Sequence, residues 1–371
     1  MTGSGIATVA RQEFRLRIRA GKWKWLVGAF FLVLLAFTAL LRASVSSLTD
    51  EEREFAGAIV YGGLMLFVLG LALLVVPALA AQSVNGDRER GTLATLQVTR
   101  LSAGEITLGK FAAAWGTALV FLALTFPLVA YAMTQGGVPF GRVVVVTLVL
   151  AVLLGTVCAV SLWLSSVLSR TTTSAVLAYL TVFGLTLGTL IMFGLATAVT
   201  TEDYQEQNYA CPYFSNEEEA LSGDGEWIDP CQPDGTTYTA QRARTDRTWF
   251  LLAPNPFVVL ADAAPRLPEP KPTGNPEDYA FTARDLDPLG QLGGVVRDLR
   301  LTPTEQGNAF EGGYSPGLES VPGDEAPVPE SRPVWPTGLA VNVVLAVGAL
   351  LLTSRRLRTP SRKLPKGQRV A

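Results

Sequence analysis

Apolar positions along the chain gather into long runs separated by polar stretches. A helix that crosses about 30 Å of hydrocarbon at roughly 1.5 Å per residue needs about 20 apolar residues. Six runs approach or exceed that length: Trp25–Leu41, Gly57–Ala81, Phe111–Met133, Arg142–Leu168, Ser174–Val199 and Trp335–Thr353. The first and last are short, but each is flanked by Trp and by Lys or Arg, the residues that anchor a span at the membrane surface. A cleaved signal peptide would also place an apolar run behind basic residues. The first run is long, however, and no small-x-small cleavage site follows it closely, so it reads as a span.

Composition supports the same class. Of 371 residues, 49% are hydrophobic and 17% charged, against roughly 25% charged in a soluble protein. The charges are unevenly divided: residues 201–334 hold 24 of the 32 acids and 9 of the 30 bases. That block is strongly acidic and the remainder is basic. With no histidine in the chain, a Ser-His-Asp triad, a Cys-His pair, a His-containing zinc or haem site and an imidazole base are all excluded. Three cysteines, Cys158, Cys211 and Cys231, are too few for a four-thiolate metal centre. No catalytic, cofactor or metal residues are assigned to this chain.

Basic residues are retained on the cytoplasmic side of a membrane, and their clusters alternate cleanly with the spans. Arg11, Arg15, Arg17, Arg19, Lys22 and Lys24 precede the first span; Arg88, Arg90, Arg100 and Lys110 lie between the second and third. Arg170 separates the fourth and fifth, and Arg355, Arg356, Arg358, Arg362, Lys363, Lys366 and Arg369 follow the sixth. All fall on one side if both termini are cytoplasmic. The acidic block then lies outside, between spans five and six. The expected fold class is an all-α polytopic membrane protein with six transmembrane helices, an N-terminal amphipathic interfacial helix and a large irregular extracytoplasmic insertion. Its expected parts are 1–24, the entry helix; 25–200, spans one to five with a cytoplasmic loop at 82–110; 201–334, the outer block; 335–354, span six; and 355–371, a basic tail.

The outer block carries 17 of the 23 prolines and little helical or alternating periodicity, which predicts irregular structure. Cys211 and Cys231 stand 20 residues apart within it, and in an oxidising compartment a disulfide between them is expected. Cys158, inside a span, reads as a small packing residue. Trp249–Leu260 is apolar but too short to span and is broken by Pro254 and Pro256. It is either a re-entrant or interfacial segment or the core of a small outer domain. Before the first span, Ile6, Ala10, Phe14 and Ile18 recur every four residues beside Arg11, Arg15 and Arg19, which fits a helix lying on the inner membrane surface. A basic topogenic tail is the simpler alternative.

The segment Asp87–Lys110, DRERGTLATLQVTRLSAGEITLGK, is far longer than the few residues a tight connection needs. It resembles the loop after the second span in the membrane subunits of type 2 ABC exporters, the permease family of polysaccharide, drug and lipid exporters, which reads approximately E-R-E-x-G-T-L-E-x-L-L-x-T-P-L-S-x-x-E-I-x-x-G-K. Glu89, Arg90, Gly91, Thr92, Leu93, Leu96, Thr99, Leu101, Ser102, Glu105, Ile106, Gly109 and Lys110 match; Ala94 and Arg100 depart from the usual Glu and Pro. The entry helix, the six spans, the short turn between spans four and five and Asn-Pro-Phe after span five are similar too. The resemblance implies that this chain has no nucleotide site, that ATP and Mg belong to a separate cytoplasmic ABC ATPase subunit present in two copies, and that a second permease, identical or homologous, completes the assembly. Glu89, Arg90, Gly91, Leu93, Leu96, Leu101 and Glu105 would form the surface coupled to the ATPase, the leucines as apolar anchors. Membrane lipids are the other partners, and no nucleic acid is implied.

Gly104–Lys110 also satisfies G-x-x-x-x-G-K. A phosphate-binding loop needs Ser or Thr next, and Phe111 stands there. Span interiors are nearly free of charge, which argues against an ion-coupled carrier with buried carboxylates. Thr117, Thr125, Thr156, Ser161, Thr181, Thr186 and Thr189 either line a path or pack helices, and Gly184 and Gly188 suggest close helix packing. The function implied is the permease of an ATP-driven exporter in the cell membrane, and the resemblance implies an amphipathic or lipid-like cargo by analogy alone. An alternative keeps the ATPase but drops transport, with the helices relaying force to the 134-residue outer block. A passive channel leaves the docking-type loop without a purpose.

Overall fold

The computed structural model describes residues 2–19, 21–46, 55–89, 91, 101–210, 232–267, 286–302 and 332–358. Among these, six helices are long and apolar enough to cross a membrane: residues 23–45, 56–89, 103–134, 140–167, 171–199 and 335–356. In chain order the helices are α1 (Gly3–Arg19), α2 (Lys22–Val45), α3 (Ala56–Ala80), α4 (Asn85–Glu89), α5 (Ala103–Ala123), α6 (Phe126–Thr134) and α7 (Phe140–Val167). Then come α8 (Thr171–Phe183), a π turn at Gly184–Gly188, α9 (Thr189–Val199), α10 (Pro256–Ala263), α11 (Pro288–Asp298) and α12 (Trp335–Arg356).

The chain divides into two compact units. One comprises Met1–Thr189, Ala253–Gly294 and Val334–Ala371. Its core lies in α3, α5 and α7, where Tyr61, Leu64, Leu69, Phe121, Leu150 and Leu153 are fully buried. On α2, Phe30 stacks obliquely on Phe121 with centroids 4.8 Å apart. The Trp115 indole N–H donates to the Ala151 carbonyl at 2.9 Å, tying the third span to the fourth. Span three breaks at Thr125 because Pro127 lacks an N–H and sits in the first turn of α6. Gly57 permits another close approach: a Cβ there would stand 2.1 Å from the Gly136 carbonyl oxygen.

From Ala253 onward, the apolar segment broken by prolines folds into this same unit. Asn255 caps α10 by accepting the Phe257 N–H at 2.9 Å, and Pro256 fills the first turn, where its missing N–H costs nothing. Val259 and Leu260 are fully buried in the cluster that holds Leu64 and Leu150, which favours the re-entrant reading. The Asp262 carboxylate accepts the Val334 and Trp335 N–H groups, both at 2.6 Å, at the start of α12.

The hydroxyls named as possible path-lining groups mostly turn back on their own helices. Thr117 donates to Ala113 O, Thr181 to Leu177 O and Thr186 to Val182 O. Thr156 also crosses to the Asn342 carbonyl of α12 at 3.2 Å. A Cβ at Gly184 would touch nothing within 4 Å, so that glycine does not serve packing among the described residues.

The second unit, Leu190–Leu252 with Val295–Pro333, holds a hairpin of β1 (Thr201–Ala210) and antiparallel β2 (Gln232–Ala243), paired from Thr201↔Ala243 to Ala210↔Gln232. The region was expected to be irregular. Most side chains described on both strands are exposed, so neither face needed an apolar alternation and the sequence signal was missing. Arg244 bridges Glu202 and Asp246, and its hydrogen bonds hold both carboxyls below their ordinary range. Arg300 lies 4.3 Å from the Trp249 ring centroid and donates to the Arg332 and Pro333 carbonyls. Cys211 and Cys231 lie outside the described residues; each directly adjoins a member of the last pair, Ala210↔Gln232.

Candidate coupling site

The segment with the family-like motif enters α5 through a capping box. Ser102 Oγ accepts the Glu105 N–H at 3.3 Å, and the Glu105 carboxylate accepts the Ser102 N–H at 2.8 Å. The other Glu105 oxygen accepts both the N–H and the hydroxyl of Thr2. From there α1 runs along α5. A Cβ on Gly5 would come 3.1 Å from Leu101 Cδ2, and one on Gly109 would come 2.5 Å from Val9 Cβ and 3.1 Å from the Ile6 carbonyl oxygen. Gly109 is therefore small because the entry helix crosses it.

The face of α1 turned to the protein is Gly5, Val9, Glu13 and Arg17, while Arg11, Arg15 and Arg19 are exposed. It lies one position away from the apolar series Ile6, Ala10, Phe14 and Ile18 read from the sequence. The packing face carries a carboxylate and a guanidinium, so a hydropathy reading assigns it to the polar side.

At the far end of this contact stands Lys110, 0% exposed. Its ammonium pairs with Glu13 of α1 and Asp87 of α4, and donates to the Ser83 carbonyl at 3.0 Å. Its three donors meet three acceptors. Arg17 is half-buried nearby, with Glu13 and Asp87 as its charged neighbours. The two acids and two bases sum to zero, the condition under which ions tolerate removal from water. Arg17 Nη1, Ser83 Oγ and Asn85 Oδ1 are buried without hydrogen-bond partners among the described residues.

The helix α4 is held from its other side by the C-terminal end of span four. Ser165 Oγ accepts the Val84 and Asn85 N–H groups, each at 3.1 Å. Arg88 donates to the Leu168 carbonyl, and Glu89 accepts the Thr171 N–H, both at 3.3 Å. Asp87 is thereby linked to the entry helix through Lys110 of span three, and Arg88 and Glu89 bind the adjoining ends of spans four and five.

Of the residues expected to meet an ATPase, Glu89 is exposed beside Thr171, and Gly91 is exposed at φ +70°, a conformation suited to glycine. Leu101 is half-buried and Glu105 buried against the entry helix. Arg90, Leu93 and Leu96 lie outside the described residues. Sequence reasoning passed over Glu13 and Lys110 as functional residues. The available signal was that Glu13 is the one acid in the first 49 residues, set among basic ones.

Away from this junction, a largely apolar groove of about 530 Å³ opens between α3, α8 and α10, lined by Gly70, Leu74, Leu180, Phe183, Thr186 and Phe257 among others. The Asn255 amide of α10 donates to the Thr186 carbonyl and the Thr189 hydroxyl, each at 2.9 Å. The first partner lies in the π turn, a local widening often found at functional positions.

Six apolar helices, an entry helix docked on the third and a polar junction beneath them define a multi-pass helical membrane protein. Residues 7–265 match the family described as ABC-2 family transporter protein, and the chain belongs to that family. It is accordingly a membrane permease of an ABC transporter. No characterised protein matches the chain significantly.

Proposed function

We propose that this chain is the permease subunit of an exporter driven by a separate cytoplasmic ATPase, and that it receives the ATPase stroke through residues 87–110. The observation that supports this most is that Asp87 is joined through Lys110 to the entry helix and span three, while Arg88 and Glu89 bind the adjoining ends of spans four and five. A push on Asp87–Glu89 reaches Lys110 and the ends of spans four and five through these contacts. Two ATPase copies, each carrying ATP and Mg, and a second permease complete the assembly, with both termini on the cytoplasmic side of the cell membrane. The groove between α3, α8 and α10 supplies apolar surface for an amphipathic or lipid-like cargo.

A buried central contact at a protein interface is worth about 2 kcal/mol or more, and a rim charge much less. Leu96→Asp is therefore expected to leave membrane insertion intact and to strip ATPase from the purified complex, with Glu89→Ala milder. A Leu96→Asp protein that keeps its full ATPase complement and hydrolysis rate would refute coupling through this segment. Orientation and the Cys211–Cys231 bond, expected to contribute roughly 3 kcal/mol by closing a loop of about 20 residues, are checked together. An impermeant thiol reagent should label intact cells at these cysteines only after an impermeant reductant, while a cysteine at Ser354 stays shielded. Labelling before reduction would remove the disulfide, and labelling at Ser354 would reverse the topology.

A further inference from the structure

We infer that Lys110 is the positioning residue that makes the entry helix part of the coupling device, and that Gly104–Lys110 is the docking face for that helix. The inference rests on the reading that an ATPase acts on residues 87–110. Within the motif, Glu105 binds Thr2, Gly109 admits Val9 and the Ile6 carbonyl, and Lys110 binds Glu13. These positions fall within one and a half helical turns of α5 and all meet α1. The glycine-lysine pair that mimics a phosphate loop therefore has a different occupant, a helix of its own chain.

Apolar packing alone would hold α1 against α5 without fixing its position along the axis. A lysine ammonium with three donors, each taken by a separate acceptor, fixes three elements at one point: α5 through its own backbone, α1 through Glu13, and the end of span two through Asp87 and Ser83. Any displacement of Asp87 is then imposed on α1 and α5 together. Arginine does not reproduce this, because its planar fork directs its donors differently from a compact ammonium.

A structural role is separated from a positioning role by comparing three variants of the cluster in the complete permease–ATPase complex, reconstituted in nanodiscs of phosphatidylethanolamine and phosphatidylglycerol. Lys110→Met leaves two carboxylates against one guanidinium and is expected to unfold or lose ATPase. The triple variant Glu13→Gln, Asp87→Asn, Lys110→Met removes the ion pairs while leaving Arg17 as the one charged member, and adding Arg17→Gln makes the cluster neutral without charge. The quadruple variant is expected to retain wild-type melting temperature and ATPase content, yet to lose permease-dependent stimulation of ATP hydrolysis by about fivefold or more, the scale of a coupling free energy between sites. A quadruple variant that keeps its stimulation overturns the positioning role. Leu96→Asp measured in parallel tells the two readings apart: if it abolishes stimulation while the quadruple variant keeps it, coupling through 87–110 stands and the Lys110 inference falls. If neither variant changes stimulation, both readings fall.

Discussion

Replacing Asp287 with alanine is expected to destabilise the permease by about 3–5 kcal/mol, the cost of breaking a buried ion pair by removing one partner. Asp287 pairs with Arg142, and both side chains are 1% exposed. Arg142 lies in the first turn of α7, where the helix dipole disfavours a cation, so the carboxylate is the group that compensates its charge. Asp287 also accepts the Gly290 N–H at 2.9 Å in the first turn of α11, and alanine removes that acceptor as well. Asp287→Asn should cost less because an acceptor remains. The double variant Arg142→Met, Asp287→Leu should recover most of the loss, since apolar replacement of an entire buried pair is often neutral. Thermal unfolding in detergent gives all three values; an Asp287→Ala protein as stable as wild type would show that the pair is hydrated.

Nothing local in the sequence announces this pair, whose members are 145 residues apart. Arg142 was legible as the polar start of a span, and Asp287 was one acid among many in the outer block. The spans themselves were legible because the lipid core demands long apolar runs. Their polar margins were less so. The third run reads from Phe111, whereas the helix begins at Ala103, because Glu105 and Lys110 depress the hydropathy of turns where Thr2 binds the one and Glu13 pairs with the other. Asn-Pro-Phe was visible as a family-like motif, and its mechanical meaning appeared only in three dimensions: a cap for α10 whose amide also grips the π turn of span five. The hairpin escaped because strands exposed on both faces need no periodic apolar pattern. The sequence was readable where lipid imposes the pattern and silent where a distant partner or water on both faces of a strand removes it.

The position of the re-entrant segment yields the second large effect. Gly338 lies in the first turns of α12, and a Cβ there would stand 2.1 Å from the Ala253 carbonyl oxygen and 2.5 Å from Val259 Cγ2. The obstructing oxygen belongs to the backbone, so no side-chain rotation relieves it. Moving Ala253 away would also strain the hydrogen bond from Asn342 to the adjacent Pro254 carbonyl, 3.2 Å, and would shift Phe257 at the groove. Gly338→Ala is accordingly expected to lose about 1–3 kcal/mol through overpacking, despite the helix propensity it gains. Gly348 on the same helix has nothing within 4 Å of a Cβ. Gly348→Ala should therefore show the propensity gain alone, up to about 1 kcal/mol. Opposite signs on one helix, read as melting temperatures of the two purified variants, would establish that residues 253–263 are wedged among the spans. Two gains would mean that the segment stands clear of α12, and the groove beside Phe257 would then lack its outer wall.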